Sequence, residues 1–259
     1  MSGVWLAALS GLIGGGALLV GSAVAWFVDI PTRVVAAIMA LGAGVLISTL
    51  AFELVEEAAE DGGLIPTTVG FLAGSILYIV ADRLVTRPRR PARQPAPAGP
   101  NIVARRVSTG AGAAAGGGGL VIAIGALIDG IPESIVMGLS VLQVGGLSVP
   151  IVAAIAISNI PEGLASTAEL KRGGTSGAKV AVLWSSIAAI TVVASVVGFL
   201  AFQAAPVGLI AVITTIAAGG LLAMVCNTMI PEAFAEQRAL TGLYATIGFL
   251  VAFLLHELA

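Results

Sequence analysis

Eight stretches of some 20 largely apolar residues succeed one another along this chain, and little else can be built from such a pattern. A helix needs about 20 apolar residues to cross the hydrocarbon of a bilayer. The sequence predicts spans at Val4–Phe27, Val34–Ala59, Leu64–Val85, Gly117–Leu142, Val149–Leu170, Ala178–Phe202, Val207–Ala235 and Gly242–His256. Several exceed the minimum and should tilt. The first is too long for a signal-peptide core and has no basic stretch before it, so it reads as a retained span.

Composition supports lipid as the solvent. Hydrophobic residues make up 58% of the chain and charged ones 10%, against about 25% charged in soluble domains. The expected fold is therefore all-α, one integral membrane domain over residues 1–259, with a bundle of eight transmembrane helices. A net charge of −2 gives no footing for a nucleic-acid partner; the partner the composition implies is the bilayer. The single cysteine, Cys226, has no disulfide partner in the chain and is expected to be a small buried hydrophobe.

Charge placement tests the span count independently. Arg33 follows span one. Arg83, Arg87, Arg89, Arg90, Arg93, Arg105 and Arg106 flank or fill the gap after span three. Lys171, Arg172 and Lys179 follow span five, and Arg238 follows span seven. All twelve basic residues thus sit beside odd-to-even connections, which an alternating path puts on one side. The positive-inside rule makes that side the cytoplasm, with both termini external in a cell inner (plasma) membrane. The Pro- and Arg-rich segment 86–108 is then a cytoplasmic loop with polyproline character. Glu56, Glu57, Glu60 and Asp61 crowd the external connection after span two. They read either as a solvated helix end or as an electronegative mouth that concentrates cations.

Carboxylates at membrane depth carry the chemistry. Each costs roughly 2.5–3.5 kcal/mol near a helix centre on insertion scales, so it should face a cavity or a partner. Glu53, Asp129, Glu133, Glu162 and Glu232 qualify, and the basic residues within the spans, Arg83 and Lys179, lie at span ends and not at the depth of these acids. Spans four and five repeat one device: Asp129-Gly130-Ile131-Pro132-Glu133-Ser134 and Ser158-Asn159-Ile160-Pro161-Glu162-Gly163. Span seven adds Asn227-Thr228-Met229-Ile230-Pro231-Glu232. Asp129 and Glu133, like Ser158 and Glu162, are one turn apart and share a helix face. Pro132 and Pro161 should kink the two central helices and free the carbonyls of Ile128 and Ile157, which is tolerated at this depth where a cavity is lined. Carboxylates, hydroxyls and carbonyls together suit a divalent cation. Thr49-x-x-x-Glu53 and Thr228-x-x-x-Glu232, on spans crossing in opposite directions, suggest an inverted repeat around the central pair.

The paired Pro-Glu helices, eight spans, external termini and long loop after span three resemble the ZIP (Zrt/Irt-like) family of divalent metal transporters. The acidic run Ala51-Phe52-Glu53-Leu54-Val55-Glu56-Glu57-Ala58 is similar to that family's second helix. The resemblance implies a metal site, often binuclear, between helices four and five, with Asp129, Glu133, Ser158 and Glu162 as the first position and Asn159 in the second. It implies a pathway past Glu53 and Glu56 on entry and Asn227 and Glu232 on exit. The family typically has His-Asn-x-Pro-Glu-Gly in helix four and a His- or Gln-led element in helix five. Here Asp129 and Ser158 replace the leading residues and Gly130 the Asn. The only histidine, His256, is terminal and is expected to be interfacial. An all-oxygen set moves preference toward harder ions such as manganese. The expected cargo is zinc by resemblance, with iron or manganese as alternatives, and no prosthetic group.

Two other classes compete. The same acids could titrate in a proton-coupled carrier of another solute. An intramembrane hydrolase is disfavoured, since no HExxH, GxSxG or comparable nucleophile–base element is present, and no enzymatic activity is expected. Glycine-rich helices permit close packing within the chain or between the copies of a homodimer, and the sequence leaves both open.

Overall fold

The computed structural model describes residues 2–85 and 118–258. The 86–108 loop and most of the Gly110–Gly119 stretch lie outside the described residues. Among those described there is no strand, and eight helices are long and apolar enough to span a membrane: α1 (Gly3–Phe27), α2 (Thr32–Gly62), α3 (Leu64–Val85), α4 (Gly118–Val144), α5 (Val149–Arg172), α6 (Gly177–Ala201), α7 (Val207–Gln237) and α8 (Thr241–Leu258). Helices satisfy every backbone group within the segment, which hydrocarbon demands. The expected eight-span helical bundle is what forms.

Two details refine the sequence reading. The α2 helix runs on to Gly62, so Glu56, Glu57, Glu60 and Asp61 occupy its last turns rather than a connection. Only Gly63 separates α2 from α3, and its φ of +85° makes the reversal that a side chain would resist. Secondly, α4 and α5 stay α-helical through Pro132 and Pro161. Backbone departs from α geometry elsewhere, in π-helical turns at Leu50–Glu56 of α2 and Val225–Met229 of α7. The second ends two residues before Pro231, which cannot donate a backbone hydrogen bond; no proline accompanies the first.

The helices fall into two groups. In one, α1 packs between α5 and α6, and α4 lies against α6; in the other, α2 pairs with α8, α3 with α7, and α2 touches α7. The groups meet mainly where α2 faces α5 and α4 faces α7. Trp184 of α6, fully buried, anchors the first group together with Leu18 and Ile187. Hydroxyls stitch it further: Ser195 donates to the Ala7 carbonyl at 2.8 Å and Thr167 to Ser22 Oγ at 2.9 Å.

Close crossings in both groups are made by glycines, and they obey an internal two-fold relation. A methyl at Gly44 of α2 would strike the Ala245 carbonyl of α8, and one at Gly248 the Leu41 carbonyl. In α7, Gly219 meets the Phe71 carbonyl of α3 in the same way, and Gly74 the Ile216 carbonyl. These four contacts match residue for residue when α2 is laid on α7 and α3 on α8. The other group behaves alike: Gly21 against Ile160 and Gly163 against Leu18 correspond to Gly198 against Ile135 and Gly138 against Ser195. Thus α1 answers to α6 and α4 to α5. The two π-turns start at equivalent positions, Leu50 and Val225.

An inverted repeat is therefore present, but its register is not the one the motifs suggest. It pairs Glu57 with Glu232 and Glu53 with Thr228, so Thr49-x-x-x-Glu53 and Thr228-x-x-x-Glu232 stand one turn out of step. It likewise pairs Glu133 with Ser158, one turn away from matching the two Ile-Pro-Glu elements. Register is set where backbones touch, at the glycines, and not where the motif letters recur.

Candidate functional site

The ends of the helices fix the site's orientation in the bundle. Lys171 at the end of α5 donates to Asp29 Oδ1 at 2.9 Å and to the Trp26 carbonyl at 3.1 Å, beyond and within α1. Thr32 at the start of α2 donates to Glu236 Oε2 at 3.0 Å, and Gln237 to the Arg33 carbonyl at 2.7 Å. The connections α1–α2, α5–α6 and α7–α8, three of those that carry basic residues, therefore share one end.

A cavity of about 200 Å³ lies between α4, α5 and α7 in the half of the bundle nearer that end. Asp129, Glu133, Ser158 and Glu162 all line it, as the shared-face argument expects. Glu232 lines it too, together with Glu169 and Thr228. Thus five acidic side chains face one space, and no Lys, Arg or His is among the described residues lining it. Glu133 is the most buried of them, at 2% exposure, while Glu232 is exposed. One carboxylate oxygen of Glu133, Oε2, has no hydrogen-bond partner. A buried acceptor left unpaired costs roughly 1–3 kcal/mol, more when charged, so the cavity stands ready for a group that supplies positive charge. Ser158 donates to the Ile155 carbonyl at 2.9 Å, which leaves its oxygen free to accept.

The remaining expected residues are elsewhere. Asn159 is buried and donates its amide to the Gly14 carbonyl of α1 at 3.0 Å, bracing α5 against α1; its side chain also hydrogen-bonds Glu133, from outside the set that lines the cavity. Glu53 does not line the cavity. It accepts or shares a hydrogen bond with His256 Nδ1 of α8 at 2.7 Å, and Phe52 stacks on the same imidazole. The terminal histidine thus has a defined partner. Glu56 is exposed at the opposite end, and Asn227 is exposed outside the lining set. Cys226, within the π-turn of α7, is exposed and not buried. Among the described residues, no three His, Cys, Asp or Glu side chains gather closely enough to hold a metal ion; the acids are strung along the cavity.

Sequence reasoning missed Glu169 and Tyr78. Glu169 is two helical turns beyond Glu162, a spacing that places both on one face and could have found it. Tyr78 reaches from α3 to share a hydrogen bond with Thr228 Oγ1 at 3.3 Å, fixing a residue of the cavity wall; nothing in the sequence pairs them.

Fold and site together define a multi-pass α-helical membrane protein with an acidic cavity within its spans. The chain matches no protein-family model and no curated protein sequence.

Proposed function

We propose that this protein is a ZIP-like permease that carries divalent cations toward the cytoplasm. One observation carries the reading: Asp129, Glu133, Glu162, Glu169 and Glu232 share a cavity inside the helical spans with no cationic side chain among the described residues that line it. Five ionised carboxylates in such a place repel one another and resist desolvation unless protons or cations compensate. Oxygen ligands spread along a path, without a closed cage, favour an ion that must also leave. Zinc is the first cargo by resemblance, with iron or manganese as alternatives, of which an oxygen-only set favours manganese. The shared end that bears the basic connections is taken as cytoplasmic by the positive-inside rule, with both termini outside and the 86–108 loop inside. Ions then exit past Glu232.

The spread of the acids gives some weight to a second reading, in which they relay protons that drive another solute. Uptake into reconstituted vesicles separates the two. Glu133→Ala and Glu162→Ala should each abolish divalent-ion uptake. If neither alters uptake of any divalent ion, the cation reading fails; if proton flux alone responds, the proton-coupled carrier takes its place.

A further inference from the structure

The two-fold relation gives the acidic cavity a counterpart at the other end of the bundle. Three of its lining residues, Gly125, Asp129 and Met224, correspond to Pro150, Ala154 and Thr49. Those three are found together, lining a space of only about 10 Å³ between α2, α5 and α8, room for about one water. The same arrangement of backbone is therefore open near one end and collapsed near the other. Val251, Ala252 and Leu255 of α8 close the collapsed copy.

The residue after Leu255 is His256, whose Nδ1 lies 2.7 Å from Glu53 Oε1. Glu53 sits in the π-turn of α2, at the position equivalent to Thr228 in the π-turn of α7. Each π-turn is thus tied to its peripheral helix by a hydrogen bond, Glu53 to α8 through His256 and Thr228 to α3 through Tyr78. The bond at the collapsed end is short and reinforced by Phe52 stacked on the imidazole, with Phe253 packed on Phe52. The bond beside the open cavity is longer, at 3.3 Å, and joins two neutral hydroxyls.

We propose that the Glu53–His256 bond is a latch that keeps the cavity's two-fold counterpart shut. It holds the last turn of α8 on α2, with Leu255 over Thr49 and Ala154. Opening requires its release, and Glu57, the counterpart of Glu232, then stands at the mouth. His256 is a positioning residue in this scheme, since it touches the gate and not the cargo. The inference rests on the transport reading, and it is tested without reference to any ion.

Two cysteine reporters serve in a Cys226→Ser background: Thr49→Cys, at a site 4% exposed in this state, and Ser166→Cys, at a half-buried site lining the open cavity. A membrane-impermeant maleimide is added to either side of proteoliposomes. His256→Ala and Glu53→Ala should each speed labelling of Thr49→Cys from the latch side by about tenfold, the order expected for loss of a hydrogen bond to a charged group. Labelling of Ser166→Cys from the cavity side should slow in parallel. His256→Gln, which can still donate to Glu53, should stay within about twofold of the wild type by the same argument. An unchanged Thr49→Cys rate in both alanine variants overturns the latch, and so does a rise at both reporters together, which signals mere loosening. Reciprocal labelling in a protein that moves no divalent ion would keep the latch and sink the cation reading.

Discussion

Replacing Glu133 by Gln tests the site where its energetics are sharpest. Glu133 is 2% exposed, and its Oε2 lacks any hydrogen-bond partner. Gln keeps the shape and removes the charge whose burial is unfavourable. The amide still leaves a polar atom at that position, so the gain is the charge's share of the roughly 1–3 kcal/mol penalty for a buried unpaired group, about 1 kcal/mol. For a chain of this length each kcal/mol moves the melting midpoint by about 2–4 °C, so the ion-free variant should melt a few degrees above the wild type. Its response to cations should change in the opposite sense. A ligand at about 100 times its dissociation constant stabilises a protein by ~2.7 kcal/mol, and Glu133→Gln should forfeit most of that shift. Thermal unfolding in detergent, with chelator and then with zinc or manganese, reads both effects on one sample. A purely structural Glu133 would give neither the gain nor the lost response. A variant that melts lower without ions, or keeps the full ion-induced shift, refutes the argument.

Three further outcomes are expected. Gly44→Ala and Gly219→Ala each push a methyl into a neighbouring helix's carbonyl and should destabilise by about 1–3 kcal/mol; Gly16→Ala, with nothing within 4 Å of the added carbon, should stay neutral or slightly favourable in thermal melts. Tyr78→Phe removes the hydroxyl bonded to Thr228 and should cost about 0.5–1.5 kcal/mol in the same melts. If Asp129 is a ligand, Asp129→His should move uptake preference toward zinc over manganese, since imidazole suits the softer ion; unchanged competition between the two ions would remove Asp129 from the ligand set.

Apolar run length and charge spacing alone determined that eight helices cross a bilayer, because hydrocarbon forbids unpaired backbone and penalises charge at every depth. One-turn spacing also put Asp129 with Glu133 and Ser158 with Glu162 on shared faces, since i and i+4 align on any helix. Which faces meet is a different matter. The cavity joins α4 and α5 to the wall of α7 and adds Glu169 and Thr228, while Asn159 bridges Glu133 to the Gly14 carbonyl of α1. His256 found Glu53 across 203 residues of chain, which no local pattern records. The repeat shows the boundary most clearly: Ile-Pro-Glu and Thr-x-x-x-Glu are legible as letters. Its true register, Glu57 with Glu232 and Glu133 with Ser158, follows from where Gly44, Gly74, Gly219 and Gly248 let backbones touch. That contact is a property of two helices at once, so only their packing could decide it.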